Sequence, residues 1–292
     1  MYSRLNVLLS GLTKGHDLAS VYNDTKKEQG SMSHNGLQTL FTGRHVTLLE
    51  QVNSTNSYMG DLLLQQHLPE GAVILAREQT SGRGQLNERW ISESGKNLLM
   101  TVIFYPSFIS AQNLFLLSKT FSLGVYDFVA SFPALLTGER GSVKIKWPND
   151  IYFDNKKLCG MLIENSIRNP NVNNAMLGIG LNVNQEIFSA TLPNPVSLRT
   201  ILGEELDTDD CFCNLCNALE RRYLQLKAGH IDQINEDYIA GLYRFGEFHE
   251  YENKTEKFRA KITAIDDDGK IFLKRENGLI ERYDFKEVKF VV

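Results

Sequence analysis

Short apolar runs closed by glycine, asparagine or proline organise most of the chain, and a different rhythm takes over after Phe245. "HVTLLEQV" (45–52) lies between Gly43 and Asn53 and predicts a strand. "STNSYMGDLLLQQ" follows, with Ser54 at the N-cap position and Tyr58, Leu62 and Leu63 at helical spacing. "AVILA" (72–76) and "NLLMTVIFY" (97–105) are continuous apolar runs, the pattern of buried strands. The stretch 111–132 is apolar on most sides and long enough for an internal helix. Further strands are predicted at 143–147, 151–153, 157–165 and 175–183, then helices over about 209–227 and 231–242. Beyond Phe245, four alternating runs separated by "DDDG" and "ENG" read as successive hairpins, a small β-barrel module. Residues 1–36 start with the short "LNVLLSGL", turn polar, and are expected to pack poorly, with Met32 a candidate start. The resulting division is an extension (1–36), a main domain (37–244) and a C-terminal module (245–292).

Composition changes this picture only at the margins. The chain has 292 residues, 42% hydrophobic and 23% charged, enough for one large domain and a smaller companion. A net charge of −4 argues against a broad nucleic-acid-binding face, although a small basic pocket remains compatible with it. No run approaches the roughly 20 apolar residues of a membrane helix. Cys211, Cys213 and Cys216 spell C-x-C-x-x-C, but Phe212, Leu215, Cys216, Leu219 and Tyr223 fall at helical spacing. Asp209 or Asp210 is placed to cap that helix, and no further pair of ligands completes a zinc tetrahedron nearby. The expectation is a helix with reduced thiols, in a cytoplasmic protein.

Three segments carry candidate chemistry. "EQTSGRGQLNERW" (78–90) has one aliphatic residue, Leu86, so packing does not explain it. Gly82 and Gly84 allow close backbone approach, Arg83 offers a fork for carboxylate or phosphate, and Trp90 offers a stacking face. Neither a P-loop nor a G-x-G-x-x-G signature is present. In "KWPNDIYFDNKKLCG" (146–160), Pro148 fixes a turn that displays Asn149 and Asp150 beside Lys146, with Lys157 on the next strand. Those groups suit a polyphosphate and a proton transfer, and equally suit a surface hairpin with an ion pair. "GIGLNVN" (178–184) places two glycines on a buried strand, for close strand packing or for a flat ligand against bare backbone.

Taken in order, S-T-N, Q-T-S-G-R-G-Q…W, K-W-P-N-D…K-K-L-C-G and G-I-G-L-N resemble the biotin protein ligases, in the form without an N-terminal DNA-binding domain. The resemblance runs from about residue 40 to the C-terminus. It implies an α+β fold: a mixed β-sheet catalytic domain backed by helices, class II synthetase-like, with an SH3-like C-terminal barrel. It also implies a two-step reaction, in which biotin and MgATP give biotinyl-5′-AMP and pyrophosphate, and a lysine of a biotin carboxyl carrier domain then takes the acyl group. By the same resemblance Lys157, Arg83, Asp150 and Lys146 are catalytic candidates. Ser54, Thr55, Asn56, Gln79, Gly82, Arg83, Gly84, Gln85, Lys157, Gly160, Met161, Gly180 and Leu181 are implied around biotin. Arg83, Gln85, Trp90, Asn149, Lys157 and Asn182 are implied around ATP. No fixed metal site is implied; Mg²⁺ comes with the ATP phosphates, Asn182 being a candidate contact. Asp150 would orient the acceptor amine or take its proton, and the 80–90 loop would close over the labile anhydride.

Gln85 stands where many relatives have arginine, which removes one basic contact to the adenylate, and Arg89 is the candidate substitute. Only 53 residues precede Ser54, fewer than the winged helix of repressor members needs, so operator binding is not expected. Exposed edge strands suit a carrier hairpin or a second copy in a homodimer. Two alternatives remain, a lipoate–protein ligase of the same fold and a biotin-sensing regulator. Deletion of residues 1–31 is expected to leave ligase activity intact in a carrier-labelling assay, and an inactive product would make the extension part of the fold.

Overall fold

The computed structural model describes residues 26–27, 35–85, 88–136 and 141–291. The expectation about residues 1–36 falls, apart from 26–27 and 35–36, outside this set, as does that about an operator-reading module. The first strands are β1 (Lys26–Lys27), β2 (Val46–Val52), β3 (Val73–Gln79) and β4 (Leu98–Phe104). They are followed by β5 (Val143–Lys146), β6 (Asp150–Phe153), β7 (Lys156–Arg168) and β8 (Asn171–Leu181). Among the described residues these form one eight-stranded sheet, in the order β1-β2-β3-β4-β8-β7-β6-β5. The β2–β3 pair is parallel and its neighbours are antiparallel, so the sheet is mixed.

Strand periodicity sorts the core into two faces. Val73 and Leu75 join the larger apolar cluster, whereas Ile74 and Ala76 join the smaller one, as alternation requires. Helix α1 (Thr55–Gln65) covers the smaller side through Tyr58, Met59, Leu62 and Leu63. Helices α2 (Phe115–Ala130), α5 (Thr208–Lys227) and α6 (Ile231–Ala240) cover the larger. Every residue of β4 is therefore buried, which is why its sequence shows no alternation. Two short helices, α3 (Pro133–Leu136) and α4 (Leu198–Leu202), carry too few residues for a periodic signal.

Helix α5 holds Cys211, Cys213 and Cys216 as buried thiols that form no disulfide among the described residues. Burial pushes the Cys211 thiol up to about 12. Its cap is Asp207, whose carboxylate accepts from the N–H groups of Asp209 and Asp210 at 2.7 and 3.1 Å. The sequence expectation placed the cap two or three residues late, because Asp209 and Asp210 occupy the first turn instead.

From His249 onward, β9 (His249–Glu252), β10 (Lys257–Ile265), β11 (Ile271–Arg275), β12 (Ile280–Tyr283) and β13 (Lys289–Phe290) form an antiparallel sheet. Its order is β12-β11-β10-β9-β13. The expected barrel is not closed: β12 and β13 lie at opposite edges. Residues 284–287 turn between them and dock on the main domain, with Phe285 edge-on to Trp147 at 5.9 Å. Turn 266–269 docks beside it, where Gly269 accepts from the Trp147 indole N–H at 2.8 Å. Gly269 has φ +87 and sits so close to Phe115 that an added Cβ would lie 2.4 Å from that ring.

A buried carboxylate fixes the entry to the first long strand. Glu220 of α5 is 4% exposed and accepts from the backbone N–H groups of Leu40, Phe41 and Thr42 at 2.5, 3.0 and 2.8 Å. Glu220→Ala strands three donors and should cost about 3–5 kcal/mol of unfolding free energy in urea titration. A loss below about 1 kcal/mol would mean that water replaces the carboxylate.

Candidate active site

The two antiparallel strands β7 and β8 place Gly160 opposite Gly180 and Leu162 opposite Gly178, leaving a bare strip on one face of the sheet. Two side chains occupy that strip. The Trp90 indole lies on Gly180 and Gly160, where added Cβ atoms would approach the ring to 2.4 and 2.9 Å. The Asn56 amide lies on Gly178, whose Cβ would come within 2.1 Å of Asn56 Oδ1. The glycines thus serve close approach, but the flat group against them is the protein's own tryptophan. The buried Trp90 Nε1 has no hydrogen-bond partner among the described residues.

Around this strip is a cleft of about 650 Å³, within the usual range of small-molecule sites. Ser54, Thr55, Asn56, Gln79, Arg83, Gly84, Gln85, Trp90, Lys146, Asn149, Asp150, Lys157, Gly160, Met161 and Gly180 all line it. Gly82, Leu181 and Asn182 do not. Gly82 is the hairpin partner of Trp90, Leu181 is buried in the core, and the Asn182 side-chain amide donates to the Val196 carbonyl at 3.0 Å. The sequence reading that sent Asn182 toward phosphate and Mg²⁺ is thus at odds with the side chain's position. Buried amides take the nearest acceptor, and here that is backbone.

One end of the cleft is a neutral polar network. Gln79 Oε1 accepts from Thr55 N–H and Oγ1 at 2.8 and 3.2 Å. Thr101 Oγ1 lies 2.8 Å from Thr55 Oγ1 and 2.6 Å from Asn56 Oδ1. Asn56 Nδ2 donates to Glu164 at 2.8 Å. Ser54 holds the N-cap position of α1 but makes no capping hydrogen bond with its side chain. Thr101 and Glu164 escaped the sequence reading, although alternation along β7 puts Glu164 on the face of Gly160 and Leu162.

The other end, around Lys157, is charged, and the Arg83–Glu164 pair joins the two, since Glu164 also accepts from Asn56. Arg83 makes a two-pronged pair with Glu164, Nη2–Oε1 at 2.7 Å and Nη1–Oε2 at 3.2 Å. Lys157 Nζ is 2.7 Å from Asp150 Oδ2 and 5.9 Å from the Trp90 ring centroid. The β6–β7 hairpin with its tight "FDNK" turn creates that pair, bringing Asp150 back beside Lys157. Burial lowers the Lys157 pKa, but the charge and hydrogen bond of Asp150 outweigh it, so the net shift is upward and the ammonium stays charged. Lys146 turns to the Tyr152 hydroxyl at 3.0 Å and lies over the Phe290 ring at 5.3 Å. Lys286 and Lys289 of the C-terminal sheet complete a lining that also includes Arg83, Arg89, Lys146 and Lys157. Sequence reading missed these two lysines, because nothing local ties residues 286 and 289 to a cleft some two hundred positions earlier. The protein's net charge is −4, so this gathering of cations is a local feature of the cleft rather than a property of the whole surface.

Residues 82–85 and 88–90 pair as the two arms of a small hairpin beside the cleft. Gly84 N–H donates to Glu88 O at 2.6 Å and Trp90 N–H to Gly82 O at 2.9 Å, with Arg83 bridged to Arg89. Gln85 Nε2 donates to Asn149 Oδ1 at 3.0 Å, tying the hairpin to the K-W-P-N-D turn. Gly180→Ala should expel the indole from its strip, red-shifting tryptophan emission and raising acrylamide quenching. Trp147, 5% exposed and hydrogen-bonded, stays protected, so unchanged quenching would refute this packing.

Comparison with known proteins bears on what such a cleft does. Residues 48–184 match the Biotin/lipoate A/B protein ligase family. The biotin–[acetyl-CoA-carboxylase] ligase of Paracoccus denitrificans is 30% identical over 79% of this chain and 95% of its own length. A bifunctional ligase/repressor BirA of Bacillus subtilis is 28% identical over 88% of this chain and 79% of that protein. The biotin protein ligase of Aquifex aeolicus, solved in complex with biotin and ATP, shares the fold with a TM-score of 0.68 at 23% identity. That match covers 85% of this chain and 100% of the other. The chain belongs to the biotin/lipoate A/B protein ligase family, on its biotin–protein ligase branch.

Proposed function

We infer that this cleft attaches biotin to a lysine of a biotin carboxyl carrier domain, cleaving ATP to AMP and pyrophosphate through biotinyl-5′-AMP. One observation carries the reading: Arg83 and Lys157, each held by its own carboxylate (Glu164 and Asp150), both line one cleft that also holds the Thr55–Asn56–Gln79 hydrogen-bonding group. A neutral bicyclic urea suits the Thr55–Asn56–Gln79 end, with Ser54 adding a hydroxyl, and a carboxylate projecting from it reaches the charged end.

In the first step the biotin carboxylate oxygen attacks the α-phosphorus, forming the acyl–phosphate bond as pyrophosphate departs. The two reactants are anions and repel each other. Fixed cations at 83 and 157 offset that repulsion without having to reorganise during the reaction. Lys157 is suited to the role because Asp150 keeps its ammonium both charged and in place. Lys146 stands farther back, on Tyr152, and we assign it to the outgoing phosphates. Trp90 presents the ring face away from the glycine strip to adenine, with Asn149 and Gln85 beside it. Asp150 and Glu164 each already hold a cation, so we place Mg²⁺ on the ATP phosphates as part of the substrate.

In the second step the acceptor lysine nitrogen attacks the acyl carbon and AMP leaves. That amine, ordinarily protonated with a pKa near ~10.4, must lose a proton. Asp150, at the cleft's charged end, is the group we assign to orient it or take the proton. Buried thiols without a disulfide accord with a reducing cytoplasm, where we place the protein. Among the described residues no helix is long and apolar enough to cross a membrane. The division into a catalytic unit (37–244) and a companion sheet (245–292) is part of the same proposal.

Two assays test the reading. ATP–pyrophosphate exchange should depend on biotin, and intact mass of a carrier domain should rise by one biotinyl group; exchange with lipoate alone would move the chain to the lipoate branch. Lys157→Ala should lower exchange by roughly a thousandfold or more, the scale of losing a preorganised electrostatic contact, with unchanged thermal unfolding. Exchange at the normal rate would show Lys157 to be misassigned.

A further inference from the structure

Glu164 joins three elements of the fold at one point. It stands on β7, on the face of Gly160 and Leu162 and opposite Met176 of β8. Its Oε1 accepts from Arg83 Nη2 at 2.7 Å, and its Oε2 accepts from Arg83 Nη1 at 3.2 Å and from Asn56 Nδ2 at 2.8 Å. Asn56 belongs to the first turn of α1 and Arg83 to the small hairpin, so one residue of an interior strand holds a side chain from each. Glu164 itself does not line the cleft, whereas Asn56 and Arg83 do. Whatever it contributes passes through those two neighbours.

Its charge also decides which way the polar network runs. A carboxylate only accepts, so Asn56 must turn its NH2 to Glu164 and its Oδ1 to Thr101. The Thr101 hydroxyl has one proton, and Asn56 Oδ1 at 2.6 Å takes it. Thr55 is then left to donate its own proton, to Thr101 at 2.8 Å or to Gln79 Oε1 at 3.2 Å. We propose that Glu164 is a positioning residue for the first step: one carboxylate sets both the hydrogen-bonding polarity that reads the urea and the place of the guanidinium that meets the two anions. The inference rests on the ligase reading above, and adds that recognition of the acid and its activation depend on one shared residue behind the cleft wall.

E164Q keeps the size of the side chain and removes its charge. A glutamine offers one oxygen and one NH2 in place of two oxygens, so it loses the two-pronged grip on Arg83 and lets the Asn56 amide turn over. In biotin-dependent ATP–pyrophosphate exchange, KM for biotin should rise about tenfold, the scale of a lost charge-assisted hydrogen bond. In the same assay kcat should fall about thirtyfold, as expected when a reacting group is held slightly out of place. The Glu164 side chain is 30% exposed, so the fold tolerates the neutral amide, and the thermal midpoint should stay within about 3 °C of wild type. A second background isolates the route through Arg83. R83M already lacks the guanidinium, so adding E164Q should lower kcat by no more than about threefold further, yet should still raise KM about tenfold through Asn56.

If the wild-type protein shows no biotin-dependent exchange, the ligase reading falls and the proposal with it. If wild type exchanges and E164Q leaves either KM or kcat within about twofold of the wild-type value, the proposal alone is overturned. A kcat loss in the R83M background as large as in wild type also overturns it, because a residue that merely supports the fold would behave that way. Failure of E164Q to fold would likewise make Glu164 structural and end the proposal.

Discussion

The site depends on a simple electrostatic arrangement: each principal cation in the cleft is held by a carboxylate before any ligand arrives. Lys157 sits on Asp150 and Arg83 on Glu164. Unpaired in a partly buried cleft, a lysine would tend to lose its proton, and an arginine, which keeps its charge, would swing out to water. Pairing prevents both, at the cost of reducing the net positive charge that an incoming anion meets. The surplus of lysine and arginine around the cleft restores that attraction, so fixed geometry and positive potential coexist in one place.

Glycine supplies the second requirement, room at the sheet surface. The register that sets Gly160 against Gly180 exposes backbone over two adjacent strands, and the indole of Trp90 settles there. Any side chain at those positions would push the aromatic group, and with it loop 80–90, away from Lys157. The same strip seats Asn56 through Gly178 and so ties the polar end of the cleft to the charged end through Glu164. One carboxylate thereby touches both the group suited to a urea and the group suited to an anhydride.

The open C-terminal sheet has a role that a closed barrel would not leave free. Turns 266–269 and 284–287 both dock on Trp147, one through the indole N–H and the other through its ring. Burial of that tryptophan couples the K-W-P-N-D turn to the small sheet, so Asn149 and Asp150 are positioned partly by residues near the chain's end. Lys119, 4% exposed, lies near the same seam. Burial lowers its pKa, against the opposing pull of Asp267 and Asp266.

Local pattern determined much of this protein by itself. Strands 46–52, 73–79 and 98–104, the helix after Ser54 and the 208–227 helix follow from run length, periodicity and turn residues, because each is decided by neighbours within a few positions. The cleft residues from 54 to 180 were legible too, since their motifs are short and contiguous. What only the tertiary structure decided are contacts between distant segments: Glu164 as partner of Arg83, Thr101 beneath Asn56, Trp90 lying on the glycine strip, and Asn182 turned to Val196. The sheet's failure to close belongs with them. Each depends on which strands become neighbours and in what register, and a one-dimensional pattern carries the face of a residue but not the identity of what will stand against it.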